Sequence, residues 1–328
     1  MRLGWVLAGL GLLLLALVLL AGSVGAYRLS PAALADALAG RGPSAARTVL
    51  WQIRLPRVGA AALVGAALAA AGAAYQSLFR NPLVSPDILG VSAGAGLGAV
   101  LGILLGWPVL AIQLTGFATG LATVGVVVAI AAALRGGDDL LVLVLAGIVI
   151  GALAGAAISL VKVLADPYDQ LPAITFWLLG SLSSIKPGDL AGLVLPVAVG
   201  LAPLVLLRWR IGVLSLGEDE ARALGVEVGR LRAVVVASAT LMTAAAVAVS
   251  GVIGWVGLMV PHMARLIVGP RFDRMLPASV LLGAAFMVGI DTAARTAARI
   301  EIPLGVLTAL VGGPLFVLLL AHGRRRRT

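Results

Sequence analysis

Few residues in this sequence have the types and spacing that catalysis or metal binding requires. The chain contains no cysteine, and its two histidines are His262 and His322. It has no HExxH zinc motif, no GxxxxGK[ST] phosphate loop and no GxSxG nucleophile elbow. Without a nucleophile, a base or a ligand cluster, we expect no catalytic residue, no metal site and no cofactor held by this chain.

One ionisable pair lies inside an apolar stretch. Asp291 and Arg295 are four residues apart, so on a helix they share a face and can pair. Ionisable residues at membrane depth are costly and are therefore candidates for function. The pair is either part of a functional site or a structural clasp within one helix, and the sequence favours neither.

A second charged group occupies the segment 214–232, LSLGEDEARALGVEVGRLR. Ser215 precedes Glu218 by three residues, which is the spacing of a capping box. Acidic residues fill the first turn of a predicted helix 218–224, where the helix dipole favours them. Gly225 is suited to end that helix in a left-handed conformation.

The rest of this segment indicates a protein partner. A second short helix is predicted from about Glu227, and Ala221 and Leu224 are spaced to form a small apolar face on the first helix. A solvated loop needs none of this order. The segment therefore predicts a helix pair that inserts into a groove of another protein.

The elements that carry these residues are membrane helices. Of the 328 residues, 61% are hydrophobic and 12% are charged, whereas a soluble domain has roughly 25% charged residues. Apolar runs of about 20 residues match a bilayer core of about 30 Å. We predict an all-α polytopic membrane protein that forms one domain over residues 1–328. Its ten spans are 4–26, 55–79, 90–106, 109–134, 140–164, 190–207, 233–250, 252–268, 276–296 and 304–321.

Arginines orient these spans. The net charge of +10 comes almost wholly from arginine, and cytoplasmic loops of membrane proteins are rich in basic residues, so no nucleic-acid partner is needed to explain it. Placing the arginines at 324–327 in the cytoplasm puts both termini there. The first run is longer than the apolar core of a signal peptide, so we expect it to be retained. The arginines that break the rule lie in or beside the first external loop: Arg28, Arg41, Arg47, Arg54 and Arg57.

Two further patterns refine this arrangement. The stretch 168–189 is too short for a span, and Phe176 and Trp177 suit a re-entrant or interfacial helix on the external side. Glycine recurs every fourth residue over 90–106 and 147–155, which predicts close helix packing inside one subunit. A subunit interface or a helix that lines a path is the alternative.

A polytopic chain without catalytic residues is expected to transport, and its energy source defines the class. Because the chain has no nucleotide motif, ATP would have to be used by a separate subunit. Ion coupling would need buried carboxylates along a path, and only Asp291 clearly lies within a span. An ion-coupled secondary transporter and a membrane scaffold or insertion factor remain the rival classes.

Five blocks, in order, resemble the permeases of the iron-chelate and vitamin B12 ABC importer family, the type II importers. Together they extend from residue 51 to residue 316, and their order is far more specific than any single block. They are WQIRLPR at 51–57, SLFRNPLVSPDILGVSAGAG at 77–96, LGEDEARALGV at 216–226, GVIGWVGLMVPHMARLIVG at 251–269 and EIPLGVLTALVGGPLF at 301–316.

This resemblance implies the partners. A ten-helix permease pairs with a second copy of itself in the lipid bilayer around a central path. Two cytoplasmic ATPases hold ATP and Mg, and an external substrate-binding protein delivers cargo. The implied ATPase-coupling residues are Leu216, Gly217, Glu218, Glu220, Ala221, Arg222, Leu224, Gly225 and Val226. The arginines implied to dock the binding protein are Arg54, Arg57 and Arg295.

The resemblance says less about the gate and the cargo. The family's cytoplasmic gate lies between the fourth and fifth spans and has Ser/Thr character, whereas here it falls on Asp138, Asp139, Leu140 and Leu141. LPAITFWLLGSL at 171–182 looks like the iron-chelate branch, which carries siderophores or haem. Cobalamin and molybdate-type cargo remain open. The implied location is the plasma membrane of a bacterium or archaeon.

Overall fold

The computed structural model describes residues 3–25, 27–134 and 139–325, and in these ranges the chain is helical with no strand. A π-helical segment, Val49–Arg54, leads into α4, and a 3₁₀ turn, Pro86–Leu89, leads into α5. The α-helices are α1 (Leu3–Ser23), α2 (Pro31–Leu38), α3 (Ser44–Thr48), α4 (Leu55–Leu78), α5 (Val91–Leu104), α6 (Val109–Ala133), α7 (Asp139–Leu164), α8 (Gln170–Leu179), α9 (Pro187–Leu206), α10 (Arg208–Leu214), α11 (Glu218–Ala223), α12 (Val228–Ser250), α13 (Val256–Val268), α14 (Phe272–Ala294) and α15 (Leu304–Arg325).

Every predicted span coincides with a helix. By length and composition, seven helices of the described chain can cross a membrane: α1, α4, α6, α7, α9, α12 and α14. The other three spans correspond to shorter apolar stretches in α5, α13 and α15. The prediction of an all-α polytopic membrane protein is therefore confirmed.

Helix α4 is the centre of the bundle. It is almost wholly buried and packs against α14, α12, α13 and α9. Its alanines and glycines allow this, because small residues let helix backbones approach closely. A Cβ atom on Gly65 would overlap the carbonyl oxygen of Gly283 in α14, and one on Gly72 would overlap that of Gly257 in α13.

The glycine series has the same purpose on α5. Side chains added at Gly94 and Gly98 would overlap the hydroxyls of Thr123 and Thr119 on α6. In α7, Gly147 faces the backbone of the 3₁₀ turn Pro86–Leu89. Packing inside one subunit thus accounts for Gly94, Gly98 and Gly147, as the spacing predicts, whereas Gly106 and Gly155 of the same series meet nothing within 4 Å.

The short helix α8 occupies the stretch that the sequence excludes as a span. At ten residues it is about 15 Å long, half of a bilayer core. Gly180 ends it with φ of 76°, a conformation that favours glycine. The Gly180 carbonyl accepts a hydrogen bond of 2.9 Å from the Leu304 backbone N–H, which ties α8 to the start of α15.

Candidate functional site

Charged residues collect at both ends of the central helix pair α4 and α14. The arginine cluster, defined as Arg54, Arg57, Asp291, Arg295 and Glu301, lies where α4 begins and α14 ends. The coupling segment, residues 214–232, follows α10, which packs against the opposite ends of the same two helices. The two groups of residues predicted to meet partners therefore lie at opposite ends of the bundle.

Arg57 is the centre of the arginine cluster. Its Nη2 lies 2.8 Å from Asp291 Oδ1 and 2.7 Å from Glu301 Oε1, and its Nε donates to Asp291 at 2.9 Å. Asp291 is 1% exposed, so its charge depends on this pairing. Charge-assisted bidentate contacts of this kind are the strongest that proteins make. They join α4, α14 and the loop before α15.

Arg54 and Arg295 bind backbone carbonyls at the end of another helix, α1. Arg295 donates to the Val24 carbonyl at 2.7 Å and to the Ala21 carbonyl at 2.6 Å. Arg54 donates to the Gly22 carbonyl at 2.5 Å and to the Tyr27 carbonyl. The last carbonyls of a helix lack partners within it, and cations are favourable there. The two arginines thus cap α1, which has no basic residue in its own last turn.

The structure brings together Arg54, Arg57 and Arg295, the three arginines predicted to dock a binding protein. Their guanidinium groups bond within the chain. The proposed Asp291–Arg295 clasp is loose at 3.7 Å, so Arg57 is the principal partner of Asp291. Docking of a binding protein by these arginines stays a prediction.

Glu301 is the residue that the sequence reasoning missed. It opens the block EIPLG and also accepts a hydrogen bond of 3.3 Å from the Ser181 hydroxyl, beyond the end of α8. The signal available was an acidic residue directly before a span, in a block already noted for its resemblance. Its partner Arg57 is 244 positions away in the sequence, and no local pattern joins them.

At the other end of the bundle, α11 begins differently from the prediction. Its N-cap is Gly217, with φ of 142° and no side-chain cap. The Ser215 hydroxyl donates instead to the Gly212 carbonyl at 2.6 Å, closing the last turn of α10. The capping-box prediction is therefore wrong, because the chain turns into α11 two residues after Ser215.

The end of α11 agrees with the sequence. Gly225 has φ of 78°, its N–H donates to the Arg222 carbonyl, and the Val226 N–H donates to the Ala221 carbonyl, both at 2.9 Å. These two bonds form a Schellman motif. The predicted second short helix from Glu227 is wrong, however, since those residues begin the long helix α12. The helix pair is α10 and α11.

The predicted apolar face of α11 is also wrong. Ala221 is fully buried against the chain's own core, whereas Leu224, the C-cap residue, is 54% exposed. Glu218 pairs with Arg222 at 2.8 Å and with Arg232 of α12 at 2.5 Å, which holds α11 on α12. The apolar surface that the segment offers consists of Leu224 and Leu216, both exposed.

The predicted gate residues are only partly described. Asp138 lies outside the described residues, and α7 begins at Asp139. Leu140 packs against the core and Leu141 is exposed. Their assignment to a gate stays a prediction.

Comparison with known proteins agrees with this architecture. Residues 13–322 match the FecCD transport family. The molybdate import permease MolB of Haemophilus influenzae is 37% identical over 325 residues, which cover 98% of this chain and 96% of MolB. The hemin transport permease HmuU of Yersinia pestis is 38% identical over 336 residues, 97% of each chain. Other relatives are named as iron-chelatin and cobalamin permeases.

A solved structure gives the same fold. It is described as an inward-facing conformation of an ABC transporter assigned to the metal-chelate type. It superposes with a TM-score of 0.90 at 36% identity, over 97% of this chain and 99% of its own. The relatives are named as permeases, and the resemblance drawn from the five blocks is confirmed. The chain belongs to the FecCD transport family and is the permease subunit of an ABC importer.

Proposed function

We propose that two copies of this permease form the membrane path of an importer that moves a ferric siderophore or haem into the cytoplasm. Two ATPase subunits hold ATP and Mg, and a substrate-binding protein delivers the chelate from outside. The observation that carries this proposal is the coupling segment, an ordered and charged turn that presents Leu216 and Leu224 to solvent.

The coupling segment is suited to transmit force. Gly225 ends α11 with a fixed turn, and the Glu218–Arg232 pair fastens α11 to α12. A push on the exposed leucines is therefore passed to α12, which packs directly on α4. The two exposed leucines are the side chains that we expect to enter the ATPase.

We place the opposite end outside the cell and both termini in the cytoplasm. In this arrangement Arg28, Arg41 and Arg47 are the exposed cations that can attract acidic residues of a binding protein. Arg54, Arg57 and Arg295 bond within the chain and stabilise the helix ends beneath these exposed arginines. Asp138 and the first residues of α7, Asp139, Leu140 and Leu141, would close the path on the cytoplasmic side.

Iron chelates are the first choice of cargo because the stretch 171–182 resembles that branch and the hemin relative matches along its whole length. A molybdate-type oxyanion is the second candidate, favoured by the equally complete match to MolB. Cobalamin is the third candidate, because the match to the cobalamin permease covers only 74% of that permease's length.

The decisive experiment reconstitutes the permease with its ATPase and binding protein in liposomes. ATP hydrolysis is measured with the binding protein loaded with haem, a ferric siderophore, molybdate or cobalamin in turn. We expect stimulation by one iron chelate and uptake only in the presence of ATP. Uptake by the permease alone, driven by a proton or sodium gradient, would contradict the proposal.

A further inference from the structure

A basic crevice of about 680 Å³ lies at the coupling end of α4 and α14. We define it by four arginines that reach it from different parts of the chain: Arg80, Arg208, Arg265 and Arg271. The single carboxylate in its wall, Asp273, pairs with Arg271 at 3.0 Å. In the described part of the chain, the other three arginines have no ion pair, so the crevice carries an excess of three positive charges.

One of these arginines, Arg265, is held at an energetic cost. Arg265 is partly buried, its Nε is enclosed without a hydrogen-bond partner among the described residues, and its Nη2 lies 3.4 Å from Gln76. A buried donor without a partner is unfavourable. Arg80 has φ of 50° because it ends α4: its N–H donates to the Ser77 carbonyl at 3.4 Å and the Asn81 N–H donates to the Gln76 carbonyl at 3.1 Å, as in a Schellman motif. This turn places Arg80 in the wall of the crevice together with Arg265.

The crevice continues into an apolar groove of about 360 Å³ between α9 and α14. The two spaces share Arg208 and Asp273 in their walls. The groove runs along membrane-spanning helices, and its apolar walls are Leu201, Val205, Leu276, Pro277, Val280 and Leu281. A free phosphate ion would fill only the crevice, whereas an amphiphile with an anionic head would fill both.

We propose that this site binds an anionic phospholipid. The phosphate lies among Arg80, Arg208 and Arg265, since guanidinium groups match phosphate geometry. One acyl chain lies in the groove between α9 and α14. Basic pockets between spanning helices recognise lipid head groups by this combination of charge and shape.

The bound lipid would also support the coupling segment. Trp209 and Gly212 of α10 line the crevice, and α11 follows α10 after a short turn. A phosphate in the crevice would link α10 to α4 and α13 by shared hydrogen bonds. The lipid would thereby hold α10, the helix that precedes α11, in place.

The first test measures lipid binding by the full-length permease. Purified protein is titrated with phosphatidylglycerol brominated on its acyl chain, and quenching of Trp209 is taken as the difference between the unchanged chain and a Trp209→Phe variant. We expect saturable quenching by brominated phosphatidylglycerol and little by brominated phosphatidylcholine. Arg208→Gln with Arg265→Gln should weaken it about twenty-five-fold, at roughly fivefold for each arginine.

Matched variants separate the site from general charge effects. Arg274→Gln removes an exposed arginine of the same end that does not line the crevice, and binding should be unchanged. Val280→Phe fills the groove without altering charge or adding an indole, and it should also abolish quenching of Trp209. If the arginine double variant fails to fold, Arg208→Gln and Val280→Phe still test the proposal.

Three outcomes would overturn it. The first is equal quenching by the two lipids. The second is displacement of the lipid by millimolar inorganic phosphate in the unchanged chain together with unaltered binding in Val280→Phe, which would indicate a free-anion site. The third is unaltered lipid binding in the arginine variants combined with lost ATPase association, which would assign the crevice to the ATPase.

Discussion

The buried carboxylate of Asp291 depends on Arg57 for a compensating charge inside the bundle. Asp291 is almost inaccessible, and its nearest alternative cation, Arg295, is 3.7 Å away and already bonded to α1. Removing one partner of a buried pair leaves an uncompensated charge and costs about 3–5 kcal/mol. We therefore expect Arg57→Gln to lower the free energy of unfolding by about this amount, measured by thermal unfolding in detergent.

Two companion variants identify the cause. Asp291→Asn in the Arg57→Gln background should recover much of the loss, because no buried charge then remains. Arg41→Gln, which breaks an exposed pair with Asp36, should cost at most about 1 kcal/mol. A loss in Arg57→Gln no greater than in Arg41→Gln would show that the pairing does not stabilise the bundle.

Side-chain partners were the part of the structure that the sequence predicted least well. The i,i+4 spacing correctly placed Asp291 and Arg295 on one helix, yet the close partner of Asp291 comes from α4, 234 positions away. Helical periodicity reports neighbours within one helix and says nothing about which helix lies opposite. Family resemblance selected the three arginines but not Glu301, the second carboxylate that pairs with Arg57.

At the scale of elements, two residues of the coupling segment, Leu224 and Ala221, are predicted to differ in their effect on stability. Leu224→Asp changes an exposed side chain, so stability should shift by no more than about 0.5 kcal/mol, while ATPase affinity falls about tenfold through loss of an apolar anchor. Ala221→Trp has no space in the core and should displace α11, lowering both stability and ATPase binding.

Thermal unfolding and binding of the purified ATPase, measured on the same preparations, check this pair. Exposed Arg230→Gln, which removes a charge within the segment but outside the predicted ATPase-coupling residues 216–226, is the control. If Leu224→Asp bound the ATPase as tightly as the unchanged chain, the exposed leucine would not be the contact.

The packing of α4 on α14 yields a second prediction at this scale. A methyl group at Gly65 would overlap the backbone of Gly283, so Gly65→Ala must push two helices apart. Overpacking of this kind costs about 1–3 kcal/mol. Gly289→Ala on α14 meets nothing within 4 Å and should be neutral or stabilising, since alanine favours helix. Equal melting temperatures for the two variants would contradict this account.

Elements were predicted best where hydropathy alone determines them. Long apolar runs must be helices in a bilayer because each backbone group needs a partner, and the ten predicted spans are found. The helix boundaries in the coupling segment were harder to predict. Ser215 is equally suited to closing α10 and to opening α11, and the sequence could not show that Glu227 precedes a continuous helix.

In the whole molecule, the two ends of the bundle differ in whether their arginines are paired. One end carries the coupling segment, the basic crevice and its unpaired arginines, whereas at the other end three arginines are taken up by carboxylates and by the carbonyls of α1. The positive-inside rule counts available charge near the span ends. Of the five arginines beside the predicted external loop, Arg54 and Arg57 are bonded inside the fold. Only Arg28, Arg41 and Arg47 remain exposed, and this smaller exception to the rule is compatible with the proposed orientation.

This orientation can be tested directly because the chain has no cysteine of its own. A single cysteine introduced as Leu224→Cys or as Arg41→Cys is then the only thiol, and both sites are well exposed. In intact cells or spheroplasts, a membrane-impermeant maleimide should label Arg41→Cys fully and Leu224→Cys only after permeabilisation. A fully buried site, Ala71→Cys, serves as the unlabelled control in both conditions. The reverse pattern would place the coupling segment outside the cell, away from ATP, and the proposed ATPase contact would have to be abandoned even though the family assignment would stand.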